Sequence, residues 1–353
     1  MGGEIRFGIV GLGMGRNRAN IVTQTPGAKL VAVCDIWEER GRLAEKELGC
    51  QWLSDYESLL KRTDIDVIGI FTPSGTHGSF LLKALESGKH AFTTKPMDIQ
   101  VEVCNQAIEL AEKKGLVLAV DFDLRYNPDN HRIKSALEKN ALGNPIAAEM
   151  SMKWFRSQSY YDGGYPPGWR SRLETEGGSL ANQAVHFLDL LLFWFGPVKT
   201  VFGKKGTFAH RIETEDTACA LIEFQSGVLA TIFSTTCSFP DQGTSIHLTG
   251  TAGSLSWHNG KVTLFERMKK SVSVEEKPGY VRPELAATPE SENLNLSDFP
   301  ISEKLPKNII EDMIAAIKNH QPVQCDGRQG RASVSLFSAV YRSSRTGESI
   351  RPD

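Results

Sequence analysis

Ile5-Arg6-Phe7-Gly8-Ile9-Val10-Gly11-Leu12-Gly13-Met14-Gly15-Arg16 decides the fold: an apolar run of strand length, a glycine-rich turn, then a helical pattern over Arg16–Gln24. Gly11 permits a tight turn, Gly13 lets backbone N–H groups approach a pyrophosphate, and the helix that follows directs its positive end at the phosphates. Asp35, with Ile36 behind it, closes the next apolar run about twenty residues beyond the turn, where a carboxylate accepts hydrogen bonds from an adenine ribose. Asp35 repels a 2′-phosphate and no basic residue directly follows it, so NAD is the expected cofactor. The third glycine position of the G-x-G-x-x-G pattern falls on Arg16, with Gly15 just before it. Arg16 and Arg18 are either solvated or close to phosphate, which leaves NADP open.

Outward from this turn, strand candidates Ile5–Val10, Lys29–Cys34, Val67–Phe71, His90–Thr93 and Val117–Val120 alternate with helical patterns at Arg16–Gln24, Trp37–Leu48, Ser54–Lys61, Gly78–Ser87 and Val101–Lys114. That alternation predicts an α/β Rossmann domain, a parallel sheet with helices on both faces, over residues 1–123. Residues 124–353 read as a second, α+β domain with a large, mostly antiparallel, open sheet. Its strands are expected at Ile146–Arg156, Thr200–Lys205, Ala218–Phe224, Val228–Thr235, Thr244–Thr249 and Val262–Phe265, interrupted by one helix, Ser179–Phe195. Lys269–Glu303 is expected as a long loop, and two helices, Lys307–Asn319 and Gly327–Thr346, close the chain, one of them able to pack back on the first domain. A sheet covered on one face only must bury the other, so a homodimer or homotetramer through that sheet is expected.

Composition narrows the class. The 353 residues carry a formal net charge of -2, with 40% apolar and 23% charged residues, an ordinary globular balance that argues against nucleic acid or an anionic membrane as partner. Six widely spaced cysteines form no C-x-x-C pair, so neither a disulfide scaffold nor a metal site is expected. The chain opens directly into a strand and holds no apolar run of bilayer length; a cytoplasmic protein is expected.

Three further stretches carry chemistry. Phe71-Thr72-Pro73-Ser74-Gly75-Thr76-His77 is a loop at the carboxyl end of the third strand candidate, where open α/β sheets bind ligands; Thr72, Pro73 and His77 are expected to touch the cofactor. Thr94-Lys95-Pro96 puts an ammonium at the end of a strand, where it can donate to a substrate hydroxyl and lower its pKa. Gly177-Gly178-Ser179-Leu180-Ala181-Asn182-Gln183-Ala184-Val185-His186-Phe187-Leu188-Asp189 begins with a candidate N-cap, Ser179, and sets Asn182, His186 and Asp189 on one face of an apolar helix. A polar stripe there is costly unless used or paired, and a neutral imidazole suits removal of a hydroxyl proton near neutral pH.

These landmarks, together with Arg125-Tyr126-Asn127-Pro128, Trp169-Arg170 and Tyr341-Arg342-Ser343-Ser344-Arg345-Thr346-Gly347, occur in the order that resembles the glucose-fructose oxidoreductase / inositol dehydrogenase / MocA family across nearly the whole chain. The resemblance implies an NAD(P)-dependent oxidoreductase acting on a secondary alcohol of a sugar, glycoside, nucleotide sugar or cyclitol. It places Lys95, His186 and Asn182 in the catalytic group, with Gly11, Gly13, Met14, Gly15, Arg16, Asp35, Ile36, Thr72, Pro73, His77, Lys95 and Pro96 at the cofactor. Arg125, Tyr126, Trp169, Arg170 and Gln183 are placed at the substrate, and Trp154 and the Tyr160–Tyr165 run offer faces for a sugar ring. Thr94 stands where the family has the glutamate of Glu-Lys-Pro, and Asn182 where it has an aspartate, which should leave His186 a weaker base. Two other readings stay open: net glycoside cleavage or epimerisation through transient oxidation, and a dinucleotide-binding sensor without turnover.

Overall fold

A computed structural model describes residues 3–269 and 290–353. Six strands, β1 (Ile5–Val10), β2 (Ala28–Cys34), β3 (Gln51–Leu53), β4 (Val67–Ile70), β5 (His90–Thr94) and β6 (Leu118–Asp121), form a wholly parallel sheet in the order β3-β2-β1-β4-β5-β6. β4 is buried at every residue and β1 at all but Arg6, which is why these strands read as near-continuous apolar runs. Helices α1 (Gly15–Gln24), α2 (Glu38–Leu48), α3 (Tyr56–Leu60), α4 (His77–Glu86) and α5 (Val101–Lys114) connect them. The strand order reverses between β1 and β4, opening a crevice at the carboxyl ends of the strands. The loops after β1, β2, β4, β5 and β6 all issue into it, so the sequence landmarks at residues 11–15, 35, 72–77 and 95 converge there.

Helix α6 (Pro128–Glu138), capped by the Asn127 side chain with proline in its first turn, leads to the second sheet. There β7 (Pro145–Lys153), β8 (Val198–Gly206), β9 (Thr217–Phe224), β10 (Leu229–Thr235), β11 (Gly243–Gly250), β12 (Gly253–His258), β13 (Lys261–Met268) and β14 (Ser291–Asn293) take the order β14-β13-β12-β11-β7-β10-β9-β8. Only β7 and β10 pair in parallel. The inner face, with Trp257, Ile222, Phe224, Ile246 and Leu248, shares one core with Leu188 and Leu191 of α8 (Val185–Phe195), which follows the short helix α7 (Gln158–Asp162). The outer face carries Phe202, Leu221, Leu229, Phe233 and Leu264 at 36–52% exposure.

The structure adds three strands absent from the sequence expectation. β3 and β14 are three residues each, too short to show a period, and Gly253–His258 alternates serine and glycine with Leu255 and Trp257, a weak apolar signal. β14 pairs with β13 inside the stretch expected as a loop, and residues 270–289 of that stretch lie outside the described residues. The two C-terminal helices, α9 (Ile309–Asn319) and α10 (Gly327–Thr346), return to the parallel sheet: Ile309, Ile310 and Met313 join the core of β1, and Gly330 lies against Val120. α10 also reaches the second sheet, where Ser343 Oγ accepts from the Gly203 N–H at 3.0 Å.

Candidate active site

The crevice is a cavity of about 990 Å³ bounded by the glycine turn, the loops after β2, β4 and β5, and the start of the α8 region. Gly11 lies at φ 85°, and a Cβ there would stand 2.5 Å from the Phe71 carbonyl oxygen, so turn and strand approach closely only because the residue is glycine. Gly15 begins α1 packed against the Phe71 ring, the close helix–sheet contact that a third glycine otherwise provides. Met14 at the cap position offers no side-chain acceptor, leaving the first-turn N–H groups of α1 for an anion. Asp35 accepts from the Leu12 N–H (2.7 Å) and the Trp37 N–H (2.8 Å), tying the turn to β2 while each oxygen keeps a lone pair for a hydroxyl donor. Met14 and Ile36, 71% and 67% exposed, wall the same end of the cavity with apolar surface. This cradle fits a dinucleotide.

Arg16 lies outside the cavity lining. Its guanidinium pairs with Glu47, and Arg18 is held between Asp121 (2.6 Å) and Asp123, so neither is free for a phosphate. His77 lines the cavity but is 1% exposed and places its ring nitrogens 2.7 Å from the Pro96 and Thr72 carbonyl oxygens. It ties the loop after β4 to the loop after β5; burial holds its pKa down, disfavouring the second ring proton that both contacts together require. Pro96 is buried behind Lys95, joined to it by a cis peptide bond.

Lys95 and His186 both face the cavity. Lys95 Nζ donates to the Asn182 carbonyl oxygen at 2.6 Å and lies 3.4 Å from Asn182 Oδ1. The carbonyl belongs to a π-helical turn, Ser179–Ala184, that precedes α8; such turns loosen the regular ladder and recur at functional sites. Burial pushes the Lys95 ammonium down to about 8, opposed chiefly by Glu176 and then Asp123, and reinforced by Arg170 and Arg156. Glu176 is 2% exposed; its Oε1 accepts from the Gly177 N–H (3.0 Å) and its Oε2 has no partner among the described residues. Burial pushes its carboxyl up to about 7 against the pull of Lys95. The carboxylate field missing at Thr94 therefore reaches the lysine from the segment just ahead of the π-helical turn. The Gly75 N–H, donating to the Thr175 carbonyl at 3.0 Å, pins that segment in place.

Burial, with the charges of Lys95 and Arg18 added, holds the His186 imidazole well below its usual pKa, so it is neutral and a weaker base than a free imidazole. Asn182 does not orient it: Asn182 Oδ1 accepts from Gln183 Nε2 at 2.7 Å and faces Lys95. Gln183 Nε2 also donates to Tyr160 Oη (2.8 Å), and its Oε1 accepts from Arg156 (3.3 Å). Trp169 and Arg170 sit on a short turn, Trp169–Ser171, with the Arg170 guanidinium stacked on the Trp169 and Tyr160 rings. The loop before them crosses the cavity mouth, where Tyr165 stacks on Trp37 at 5.1 Å.

Other expectations are corrected. Arg125 is 3% exposed and makes a two-pronged pair with Asp189, Nε to Oδ2 at 2.7 Å and Nη2 to Oδ1 at 2.9 Å, so it touches no cleft. Tyr126 is buried and donates to Asp312 at 3.1 Å. Asp189 accordingly does not line the cavity with Asn182 and His186; its carboxylate is taken by Arg125. Ser179 is not the N-cap; Gly178 holds that position, Glu215 Oε1 accepts from the Leu180 N–H (2.8 Å), and Ser179 Oγ bonds Ser234 Oγ. Sequence reasoning missed Glu176, Arg156 and Trp37. The only sequence signals were an acid just before a double glycine, an arginine at a strand end, and an aromatic two residues past Asp35. Elsewhere His210, Asp216 and Cys237 lie together, but Asp216 Oδ2 already accepts from the N–H groups of Phe208, Ala209 and His210, so the cluster anchors its own loop.

Two family models match: "Oxidoreductase family, NAD-binding Rossmann fold" over residues 5–122 and "GFO/IDH/MocA C-terminal domain" over residues 130–256. The chain belongs to the Gfo/Idh/MocA oxidoreductase family. Its relatives in that family include the scyllo-inositol 2-dehydrogenase (NAD(+)) of Bacillus subtilis (strain 168), 30% identical over 265 residues, covering 71% of this chain and 73% of the relative. The inositol 2-dehydrogenase of Rhizobium meliloti (strain 1021) is 24% identical over 351 residues, covering 96% of each. Among solved structures, the WlbA dehydrogenase from Bordetella pertussis in complex with NADH and UDP-GlcNAcA superposes with a TM-score of 0.82 at 28% identity, covering 99% of this chain and 98% of that one. As a Gfo/Idh/MocA member the chain is an NAD-dependent oxidoreductase acting on alcohol groups. No helix among the described residues is long and apolar enough to cross a membrane.

Proposed function

We propose that this enzyme oxidises or reduces a ring secondary alcohol of a sugar, glycoside, nucleotide sugar or cyclitol, with Lys95 and His186 acting on the alcohol oxygen. The reading is carried by one observation: an ammonium from the end of β5 and a neutral imidazole from α8 open into the same cavity as the glycine turn and Asp35. Gly11, Gly13, Met14 and Gly15 hold the pyrophosphate, Asp35 and Ile36 the adenosine end, and Thr72, Pro73 and Lys95 the nicotinamide end. Bound NAD supplies hydride exchange at its nicotinamide ring. In the oxidative direction Lys95 donates a hydrogen bond to the alcohol oxygen and stabilises the negative charge that grows there. His186 takes the hydroxyl proton on a ring nitrogen. Asn182 holds the lysine through its carbonyl, and Gln183 with Trp169, Arg170 and Tyr160 positions the ring. The exposed apolar face of the second sheet is buried between copies of the chain in a dimer or tetramer.

The test is NADH formation with a panel of cyclitols, glycosides and nucleotide sugars. Lys95→Ala and His186→Ala should each lower kcat by roughly 100-fold or more, the loss expected for a missing acid-base group. Variants that keep nearly full rate on the same substrate contradict the assignment of roles.

A further inference from the structure

We infer that the substrate carries an anionic group, bound by Arg156 and Arg170 beside Tyr160. The inference rests on the cavity being a substrate site, as proposed above, and adds the chemical class that the site selects. Arg156 and Arg170 both line the cavity, and among the described residues neither is paired with a carboxylate. Arg156 and Arg170 are half-buried. Arg156 donates to the Phe155 carbonyl (2.8 Å) and to Gln183 Oε1, both uncharged acceptors. The two guanidinium carbons lie 5.5 and 4.8 Å from the centre of the one Tyr160 ring, which brings two like charges against a single side chain.

Lys95 adds a third cation, and both arginines oppose its charge. The acids of the cavity are engaged elsewhere: Asp35 on the glycine turn, Asp121 and Asp123 on Arg18. Glu176 lies behind the wall beside Lys95 rather than in the cavity. Three cations facing one cleft repel each other in the free protein, and that repulsion is relieved when an anion enters. A guanidinium presents a planar fork of N–H donors matched to carboxylate and phosphate oxygens, and the rings of Tyr160 and Trp169 fix the forks against rotation while offering faces to a sugar ring. A neutral sugar offers these donors no charged acceptor. The ligand class is thus an acidic sugar, a uronate or a sugar phosphate.

The experiment is equilibrium binding to the full-length enzyme saturated with NADH, read by the nicotinamide fluorescence and by calorimetry. D-glucuronate and D-galacturonate test the carboxylate and D-glucose 6-phosphate the phosphate, each against neutral D-glucose or D-galactose. At least one anion should bind tenfold or more tighter than its neutral parent, with a preference that shrinks as salt rises. Arg170→Gln and Arg156→Gln should each erase most of that preference, read as the ratio of anion to neutral-sugar affinity in the same variant, whereas Arg170→Lys should retain part of it. If no anion binds more tightly than its neutral parent, including the case where none binds measurably, the inference is overturned. It is equally overturned if the glutamine variants weaken charged and neutral sugars alike. Because this readout needs no turnover, a charge preference that survives in Lys95→Ala and His186→Ala while those variants also keep full rate sinks the redox roles and leaves the anion site standing.

Discussion

Lys95 works at the edge of its charged state. Burial lowers it to about 8, and the groups that face it are Glu176 and Asp123 on one side of the balance and Arg170, Arg156 and the two imidazoles of His77 and His186 around it. A lysine with a depressed pKa holds its proton below that value and loses it above, so alcohol oxidation should fall as pH rises past about 8. His186 imposes no matching loss near neutrality, because its own pKa is held low and it is already neutral there. Glu176→Gln removes the largest charge that keeps the proton on Lys95, so the alkaline fall should move to lower pH, measured as kcat against pH. A purely packing role for Glu176 would instead lower kcat by the same factor at every pH. Neither Glu176 nor Arg156 was legible in the sequence as a site residue, since an acid before two glycines says nothing about a lysine eighty residues earlier. Lys95, His186 and Asp35 were legible because each ends a strand or interrupts an apolar helix, where a polar group needs a reason.

At the level of elements, the π-turn and α8 present Asn182, Gln183 and His186 to the cavity, and the buried Arg125–Asp189 pair fixes that helix to the chain leaving β6. The pair was misread from sequence because charge alone does not reveal a partner 64 residues away. Asp189→Ala leaves the Arg125 guanidinium buried and unpaired, a loss of about 3–5 kcal/mol. Replacing both, as Arg125→Met with Asp189→Leu, should restore most of it, because no charge is then left without a partner. Urea unfolding of the two variants checks this; equal destabilisation of single and double variants would show that the pair's charge is not what matters.

Across the whole molecule, the parallel sheet was legible because both of its faces are covered and its strands are apolar throughout. The second sheet showed its alternation in β7 to β11 and lost it at the serine-rich and three-residue strands. Phe202, Leu221, Leu229, Phe233 and Leu264 remain on an outer face that registers from β8 to β13. Leu221→Glu with Leu229→Glu should therefore convert an oligomer to a monomer in light scattering behind size exclusion, with the fold kept by circular dichroism. A wild-type chain that is monomeric at high concentration would contradict burial of that face.

The central claim is that Lys95 and His186 serve one oxygen atom. It is tested most directly by comparing kcat/KM of Lys95→Ala, His186→Ala and the double variant on the best alcohol substrate, since groups that act as a unit lose their effect together. If one oxygen is served by both, the double variant is hardly slower than the worse single variant; losses that multiply through the cycle would mean that the two residues act on separate events.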